Sequence, residues 1–123
     1  MKVIVLDSPL VSRRLQASLS ALPDIELLNG AVDPIEAIRL VRELRPDAVI
    51  MDVKTHRRLG IDILRNIKKS VPAPLVVALT NKLYPESGEK CMKDEADFSF
   101  DKFTEMDKVC ALFANAQADA FTS

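Results

Sequence analysis

Short apolar runs alternate with amphipathic segments along the whole chain. Three of the runs are continuous and aliphatic, which is typical of strands buried on both faces, and they cover Lys2–Leu6, Ala48–Asp52 and residues 75–79. Two shorter runs, residues 25–28 and 97–100, predict two further strands. Because helical patterns separate the runs, we predict a single doubly wound α/β domain, with a five-stranded parallel sheet and helices on both faces.

Five helices are predicted between and after these strands. Two of them start where a capping side chain meets a proline, which is tolerated in the first helical turn. The second helix is expected to turn four residues toward the sheet: Ile35, Ile38, Val41 and Leu44. The last helix should start at Thr104, with Asp107 completing a capping box. The predicted starts are Ser8-Pro9, Asp33-Pro34, Gly60, residue 84 and Thr104.

The bulk properties fit one domain spanning residues 1–123, with a small and polar tail that we expect to fray after about residue 117. With 17 basic and 18 acidic residues, the net charge of -1 gives no electrostatic reason to expect nucleic acid or a membrane surface as a partner. The chain has no apolar run long enough for a signal peptide or a bilayer span. A cytoplasmic location is therefore expected.

Residues with chemical capacity stand at the ends of the predicted strands. Asp7, Asp52 and Thr80 end three of them, and Lys102 follows the fifth. The carboxyl ends of parallel strands lie along one edge of the sheet, so these four positions should converge on one site. Each residue alone has a simpler explanation, such as a helix cap, strand propensity or a solvated surface charge. Their combination favours a functional site.

Four segments resemble the receiver domain of bacterial two-component response regulators. They are V-L-D-S-P-L-V-S-R-R-L at residues 5–15, D-A-V-I-M-D at 47–52, V-V-A-L-T-N at 76–81 and F-D-K at 100–102. The resemblance covers essentially the whole chain, and its spacing of Asp, Thr and Lys is more specific than any one motif. It implies a stand-alone receiver with the flavodoxin-like strand order 2-1-3-4-5.

The resemblance also implies what each site residue does. Asp52 would accept a phosphoryl group from a histidine kinase or phosphotransfer protein, with Mg2+ held by Asp7, Asp52 and the backbone carbonyl of Lys54. Thr80 would bind the phosphoryl group and Lys102 would pair with it. The chemistry agrees, because a carboxylate that attacks a phosphoryl group brings anion toward anion and needs a divalent cation. Such a domain catalyses its own phosphorylation and dephosphorylation and is otherwise no enzyme.

The chain departs from the family pattern after its first strand and at its fifth. Receivers carry two adjacent acids after strand one, and two alignments are open here. Either Asp7 is the direct metal ligand and Leu6 replaces the other acid, or Asp7 is the first acid and Ser8 replaces the second. The aromatic switch position falls on Ser99, and Phe103 replaces the proline common after the lysine.

Two functions follow from these observations. The first is a receiver whose phosphorylation changes protein contacts with a downstream target, or drives homodimerisation, through the face of the fourth helix, fifth strand and fifth helix. The second is a pseudo-receiver, an interaction module that is never phosphorylated. A dehalogenase-like phosphatase is disfavoured because Lys54 stands where such enzymes need an acid. A flavin-binding protein is disfavoured because no phosphate-binding loop follows strand one.

Overall fold

The computed structural model describes residues 1–6, 9–23, 25–29, 34–52, 60–81 and 95–122. The strands are β1 (Lys2–Leu6), β2 (Glu26–Asn29), β3 (Ala48–Asp52), β4 (Leu75–Thr80) and β5 (Phe98–Asp101). The helices within the described ranges are α1 (Pro9–Leu19), α2 (Pro34–Leu44), α3 (Gly60–Lys68) and α4 (Met106–Thr122). The predicted helix over residues 84–94 and the caps Ser8 and Asp33 lie outside the described residues.

All five strands form one sheet in the order β2-β1-β3-β4-β5, and every neighbouring pair is parallel. The predicted doubly wound α/β class and the strand order are confirmed. The two strands at the sheet edges each begin one residue later than predicted, at Glu26 and Phe98. Since α4 extends to Thr122, the chain is helical beyond residue 117. Fraying of that tail concerns motion and stays a prediction.

The sheet separates two apolar layers, because alternate residues of each strand point to opposite faces. In β1, Ile4 and Leu6 pack toward α2 and α3, whereas Val3 and Val5 pack toward α1 and α4. The central strand β3 is buried over all five residues. The three central strands β1, β3 and β4 are therefore covered on both faces, and the polar side chains at the carboxyl ends of β3 and β4 are the groups there with chemical capacity.

The predicted inward face of α2 is confirmed at Val41 and at Leu44, which packs against the core, and is wrong at Ile35. Ile35 was expected to face the sheet, but it is 80% exposed, while Ala37 and Val41 are buried in the core. The buried pair is spaced i, i+4, so α2 is rotated relative to the face that its first apolar residue suggested. Within the described residues, no helix has both the length and the apolar character needed to cross a bilayer.

The Asp97 side chain accepts hydrogen bonds from a backbone amide and a lysine at the amino edge of the sheet. The Val76 amide and the Lys68 ammonium each donate to Asp97 Oδ2 at 2.7 Å. Burial raises the pKa of Asp97, but the hydrogen bonds from Lys68 and Val76 outweigh it, so this pKa lies below its usual value. The Asp97 amide in turn donates to the Val76 carbonyl at 3.0 Å, and this reciprocal contact sets where β5 begins.

We expect Asp97→Ala to lower the free energy of unfolding by about 1 to 3 kcal/mol at neutral pH, because the buried Val76 amide loses its side-chain acceptor. The lowered pKa means that this stabilisation is complete above the ordinary aspartate pKa and is lost as the pH falls through the folded-state value. The difference in the free energy of unfolding between Asp97→Ala and wild type should therefore become smaller below about pH 4. Urea unfolding over a pH series measures it.

The matched control for this prediction is Glu95→Ala. Glu95 pairs with Arg65 at 2.8 Å, but both side chains are well exposed. Glu95→Ala should therefore lower the free energy of unfolding much less than Asp97→Ala does. Equal losses in the two variants would contradict the role given to Asp97.

Candidate functional site

The carboxyl ends of β3, β4 and β5 bring three predicted site residues to one edge of the sheet. Asp52 is the last residue of β3 and pairs in register with Leu79. Thr80 ends β4 and pairs with Asp101, the last residue of β5. Lys102 follows directly. The parallel register thus places a carboxylate, a hydroxyl and an ammonium group on adjacent strand ends.

Asp52 and Lys102 form a buried ion pair across 50 residues of sequence. Lys102 Nζ lies 2.5 Å from Asp52 Oδ2. The Asp52 side chain is 3% exposed and that of Lys102 is 14% exposed. A carboxylate removed from water is costly unless a cation and hydrogen bonds compensate, and the short contact provides that compensation. The pair puts positive charge directly beside the acid that was predicted to react.

Thr80 connects the end of β4 to β5 through its hydroxyl group. Its side chain is buried, and Oγ1 donates to the Phe100 carbonyl oxygen at 3.3 Å, which is long for a hydroxyl donor. The Lys102 amide donates to the Thr80 carbonyl at 2.9 Å, so the pairing of the two strands continues past Asp101. Thr80 is therefore hydrogen-bonded to the segment that carries Lys102.

The Phe103 ring lies beside the Lys102 ammonium group. Lys102 Nζ is 5.5 Å from the centre of the Phe103 ring, within the range of a cation–π interaction. Phe103 itself is 57% exposed. The ammonium group thus lies close to both a carboxylate and an aromatic ring.

Asp101 is a buried acid that the sequence reasoning did not single out. It is 3% exposed, and its Oδ2 accepts the Thr104 hydroxyl at 3.0 Å. The predicted capping box is wrong, because α4 begins at Met106 and Thr104 donates to Asp101 instead. The available signal was the tendency of aspartate side chains to bond to residues two or three further along, as they do in tight turns.

The predicted metal ligands are only partly described. Asp7 and Lys54 lie outside the described residues, where nothing tests their roles. In the described ranges, no group of three or more His, Cys, Asp or Glu side chains is placed to hold a metal ion. The register pairs Leu6 with Met51, and an aspartate follows each of these residues in the sequence. Asp52 offers carboxylate oxygens, the ligand type that Mg2+ prefers, so the described donor fits the ion.

A cavity of about 650 Å3 lies at the opposite edge of the sheet. It is formed by the connections from α2 to β3 and from α3 to β4, with Arg42, Pro46, Val71 and Pro72 among its lining residues. Among the site residues that the structure describes, Asp52, Thr80 and Lys102 do not line it. The candidate site is therefore placed at the charged pair on the strand ends and not in this cavity.

A family model described as the response regulator receiver domain matches residues 3–114. The match covers most of the chain, and the chain belongs to the response regulator receiver domain family. This agrees with the sheet order and with the placement of Asp52, Thr80 and Lys102 at one edge.

Curated relatives share part of this sequence. A protein-glutamate methylesterase/protein-glutamine glutaminase of Caulobacter vibrioides is 39% identical over 80 residues, which are 64% of this chain and 23% of that protein. A protein of the same name from Pyrococcus abyssi is 35% identical over 91 residues, or 74% of this chain and 24% of that protein. The similarity spans about a quarter of these enzymes, so the reactions in their names do not transfer to this chain.

Solved receiver structures share the fold over the whole chain. The response regulatory domain of protein mrkE from Klebsiella pneumoniae has a TM-score of 0.80, with 17% identity and full coverage of both chains. The response regulator domain of Thermotoga maritima CheB has a TM-score of 0.73, with 21% identity over 100% of this chain and 97% of that one. At such identities the likeness establishes the fold alone.

The buried pair predicts a large effect of Lys102→Met on stability. Without the ammonium group, the Asp52 carboxylate stays buried beside an apolar side chain, and we expect the free energy of unfolding to fall by about 2 to 4 kcal/mol. Adding Asp52→Asn should recover most of this loss, because the buried charge is then removed. Chemical unfolding of the single and double variants measures both effects.

Lys108→Met provides the comparison. Lys108 also pairs with an acid, Glu105, at 2.8 Å, but its side chain is 60% exposed. We expect little change in stability from this substitution. A loss as large as that of Lys102→Met, or no recovery in the double variant, would argue against the ion pair as the cause.

Proposed function

We propose that this chain is a phosphoacceptor signalling domain in which Asp52 takes a phosphoryl group from a histidine kinase or phosphotransfer protein. The observation that carries the proposal is the buried Asp52 carboxylate with Lys102 Nζ at 2.5 Å, at the strand edge of a receiver-family fold. A reactive acid needs a nearby cation that can follow the charge as it moves onto the phosphoryl oxygens, and Lys102 is in place for this.

In the proposed step, a carboxylate oxygen of Asp52 attacks the phosphorus atom. The new O–P bond forms as the N–P bond of the donor phosphohistidine breaks, and the electron pair leaves with the imidazole nitrogen. Lys102 stabilises the charge that spreads over the equatorial oxygens. Mg2+, held by Asp7, Asp52 and the Lys54 carbonyl, would neutralise the two anions that meet.

Thr80 is proposed to couple phosphorylation to β5. In the unphosphorylated chain its hydroxyl donates to the Phe100 carbonyl at a long 3.3 Å. A phosphoryl group on Asp52 brings acceptor oxygens with roughly one and a half to two negative charges, and hydrogen bonds to charged acceptors are the stronger ones. The hydroxyl would then leave Phe100 for the phosphoryl group, and the end of β5 would lose a contact.

The proposed output surface is the face that includes β5 and the helix after it. Phe98 and Phe100 stack there, with ring centres 6.3 Å apart, and Phe98 is 39% exposed. We propose that this face contacts a downstream protein or a second copy of the chain once Asp52 is phosphorylated. The near-neutral net charge favours neither nucleic acid nor a membrane as the partner, and a cytoplasmic location remains a prediction.

A pseudo-receiver that is never phosphorylated is the second candidate. A single acid after β1 and Ser99 at the aromatic switch position favour it. The intact Asp52–Lys102 pair favours the first candidate, because a module without phosphoryl chemistry has no need of a costly buried charge beside a lysine.

Incubation with acetyl phosphate and Mg2+, followed by intact-mass spectrometry, tests the proposal. We expect one phosphoryl adduct that requires Mg2+ and is absent from Asp52→Asn. We also expect Lys102→Ala to slow adduct formation by about a hundredfold or more, because it removes a group that stabilises developing charge.

Asp62→Asn is the matched control, since Asp62 is an exposed acid in the first turn of α3. This variant should react at the wild-type rate. If the folded wild-type chain forms no adduct at any Mg2+ concentration, the phosphoacceptor function is wrong and the result supports the pseudo-receiver function instead.

The coupling role of Thr80 has its own test. Thr80→Val removes the hydroxyl while keeping the side-chain volume, so the adduct should still form but the amide shifts of β5 on phosphorylation should be largely lost. Thr80→Ser retains the hydroxyl and should respond as wild type. Two-dimensional NMR of the chain with and without acetyl phosphate measures this. If phosphorylation shifts the β5 amides in Thr80→Val as much as in wild type, the coupling is refuted.

A further inference from the structure

The turn that carries Lys102 is closed by the buried carboxylate of Asp101. Its two oxygens accept the Phe103 amide at 3.4 Å and the Thr104 hydroxyl at 3.0 Å. The Asp101 amide donates to Glu105 Oε1 at 2.9 Å, and the Glu105 amide donates to the Asp101 carbonyl at 2.9 Å. Four hydrogen bonds thus link the five residues from 101 to 105 before α4 begins.

Lys102 lies inside this closed turn, so its backbone is held from both sides. Its amide donates to the Thr80 carbonyl at 2.9 Å, and the next residue, Phe103, donates its own amide to Asp101. The ammonium group is at the end of a flexible four-carbon stem, so its position depends on how firmly the backbone and the neighbouring ring are fixed. The Asp101 carboxylate restrains the backbone on the far side of Lys102, because it accepts the amide of Phe103, the residue whose ring lies 5.5 Å from Nζ.

Asp101 would affect the chemistry only indirectly. In the described part of the chain, its carboxylate bonds to Phe103 and Thr104 and makes no contact with Asp52 or with Lys102 Nζ. Any influence on phosphoryl transfer must therefore pass through the position of Lys102. This separates Asp101 from an acid that reacts or binds metal.

We propose that Asp101 is a positioning residue of the phosphoacceptor site, which closes the 101–105 turn with its buried carboxylate and so holds the Lys102 ammonium beside Asp52. This inference rests on the proposed function of Asp52. It adds a requirement that neither the family match nor the predicted site contains: the residue before the lysine must be a buried hydrogen-bond acceptor.

A double-variant cycle with Lys102 tests the proposal. Rates of adduct formation from acetyl phosphate and Mg2+ are measured by mass spectrometry for wild type, Asp101→Ala, Lys102→Ala and the double variant. We expect Asp101→Ala to slow the reaction at least about tenfold, since a displacement near 1 Å at a catalytic group is sufficient for such a loss. In the Lys102→Ala background, the same change should alter the rate by less than about twofold.

Two further variants separate geometry from charge. Asp101→Asn keeps a side-chain oxygen that can accept the Phe103 amide and should retain most of the wild-type rate. Asp107→Ala removes the same charge from an exposed position in the first turn of α4, and it should react as wild type. If Asp101→Ala does not fold by circular dichroism, Thr104→Val replaces it in the cycle, because Thr104 is exposed and its hydroxyl is one of the two groups that bond to the carboxylate.

The outcomes distinguish the inference from the function beneath it. If wild type forms the adduct and the Asp101 or Thr104 variant reacts as fast, the positioning role is overturned and the phosphoacceptor function stands. The role is also overturned if the loss is equal with and without Lys102, which is the result expected of a merely structural residue. If folded wild type forms no adduct, the proposed function fails and this inference fails with it.

Discussion

The burial of the Asp52 carboxylate is the constraint on which the rest of the site depends. All five residues of β3 are buried, and the strand ends in a group that is costly to remove from water. The compensating cation comes from Lys102, 50 residues along the chain. That contact requires β4 to pair with β3 and β5 with β4 in a parallel register, so the strand order and the ion pair support each other.

Two buried acids at the same edge of the sheet have different neighbours, and this separates their roles. Asp52 faces an ammonium group, whose interaction can be exchanged for one with a phosphoryl oxygen or a metal-bound anion. Asp101 faces a backbone amide and a hydroxyl of its own turn, and both donors are needed there to close it. These neighbours support the reactive role proposed for Asp52 and the positioning role proposed for Asp101. Environment, not residue type, makes the distinction.

The sequence predicted the layers of this fold because three apolar runs are continuous and end in polar residues. It was right about Val41 but wrong about Ile35, since an apolar residue in the first turn of a helix is compatible with more than one inward face, and packing buried Ala37 instead. Asp101 was missed because its role depends on where α4 begins, two residues after Thr104. Boundaries of this kind are set by hydrogen bonds that compete within a turn, which periodicity does not report.

The serine at the aromatic switch position need not disconnect the site from the surface. Phe98 and Phe100 lie on one face of β5, two residues apart, and they stack, while Ser99 points to the other face. The Thr80 hydroxyl bonds to the backbone of Phe100 directly. Under the proposed function, a change at Thr80 would reach the exposed Phe98 ring through the backbone and the partly buried ring of Phe100, with no rotamer change at residue 99. The proposed coupling therefore needs only the backbone of β5 between Thr80 and the Phe98 ring.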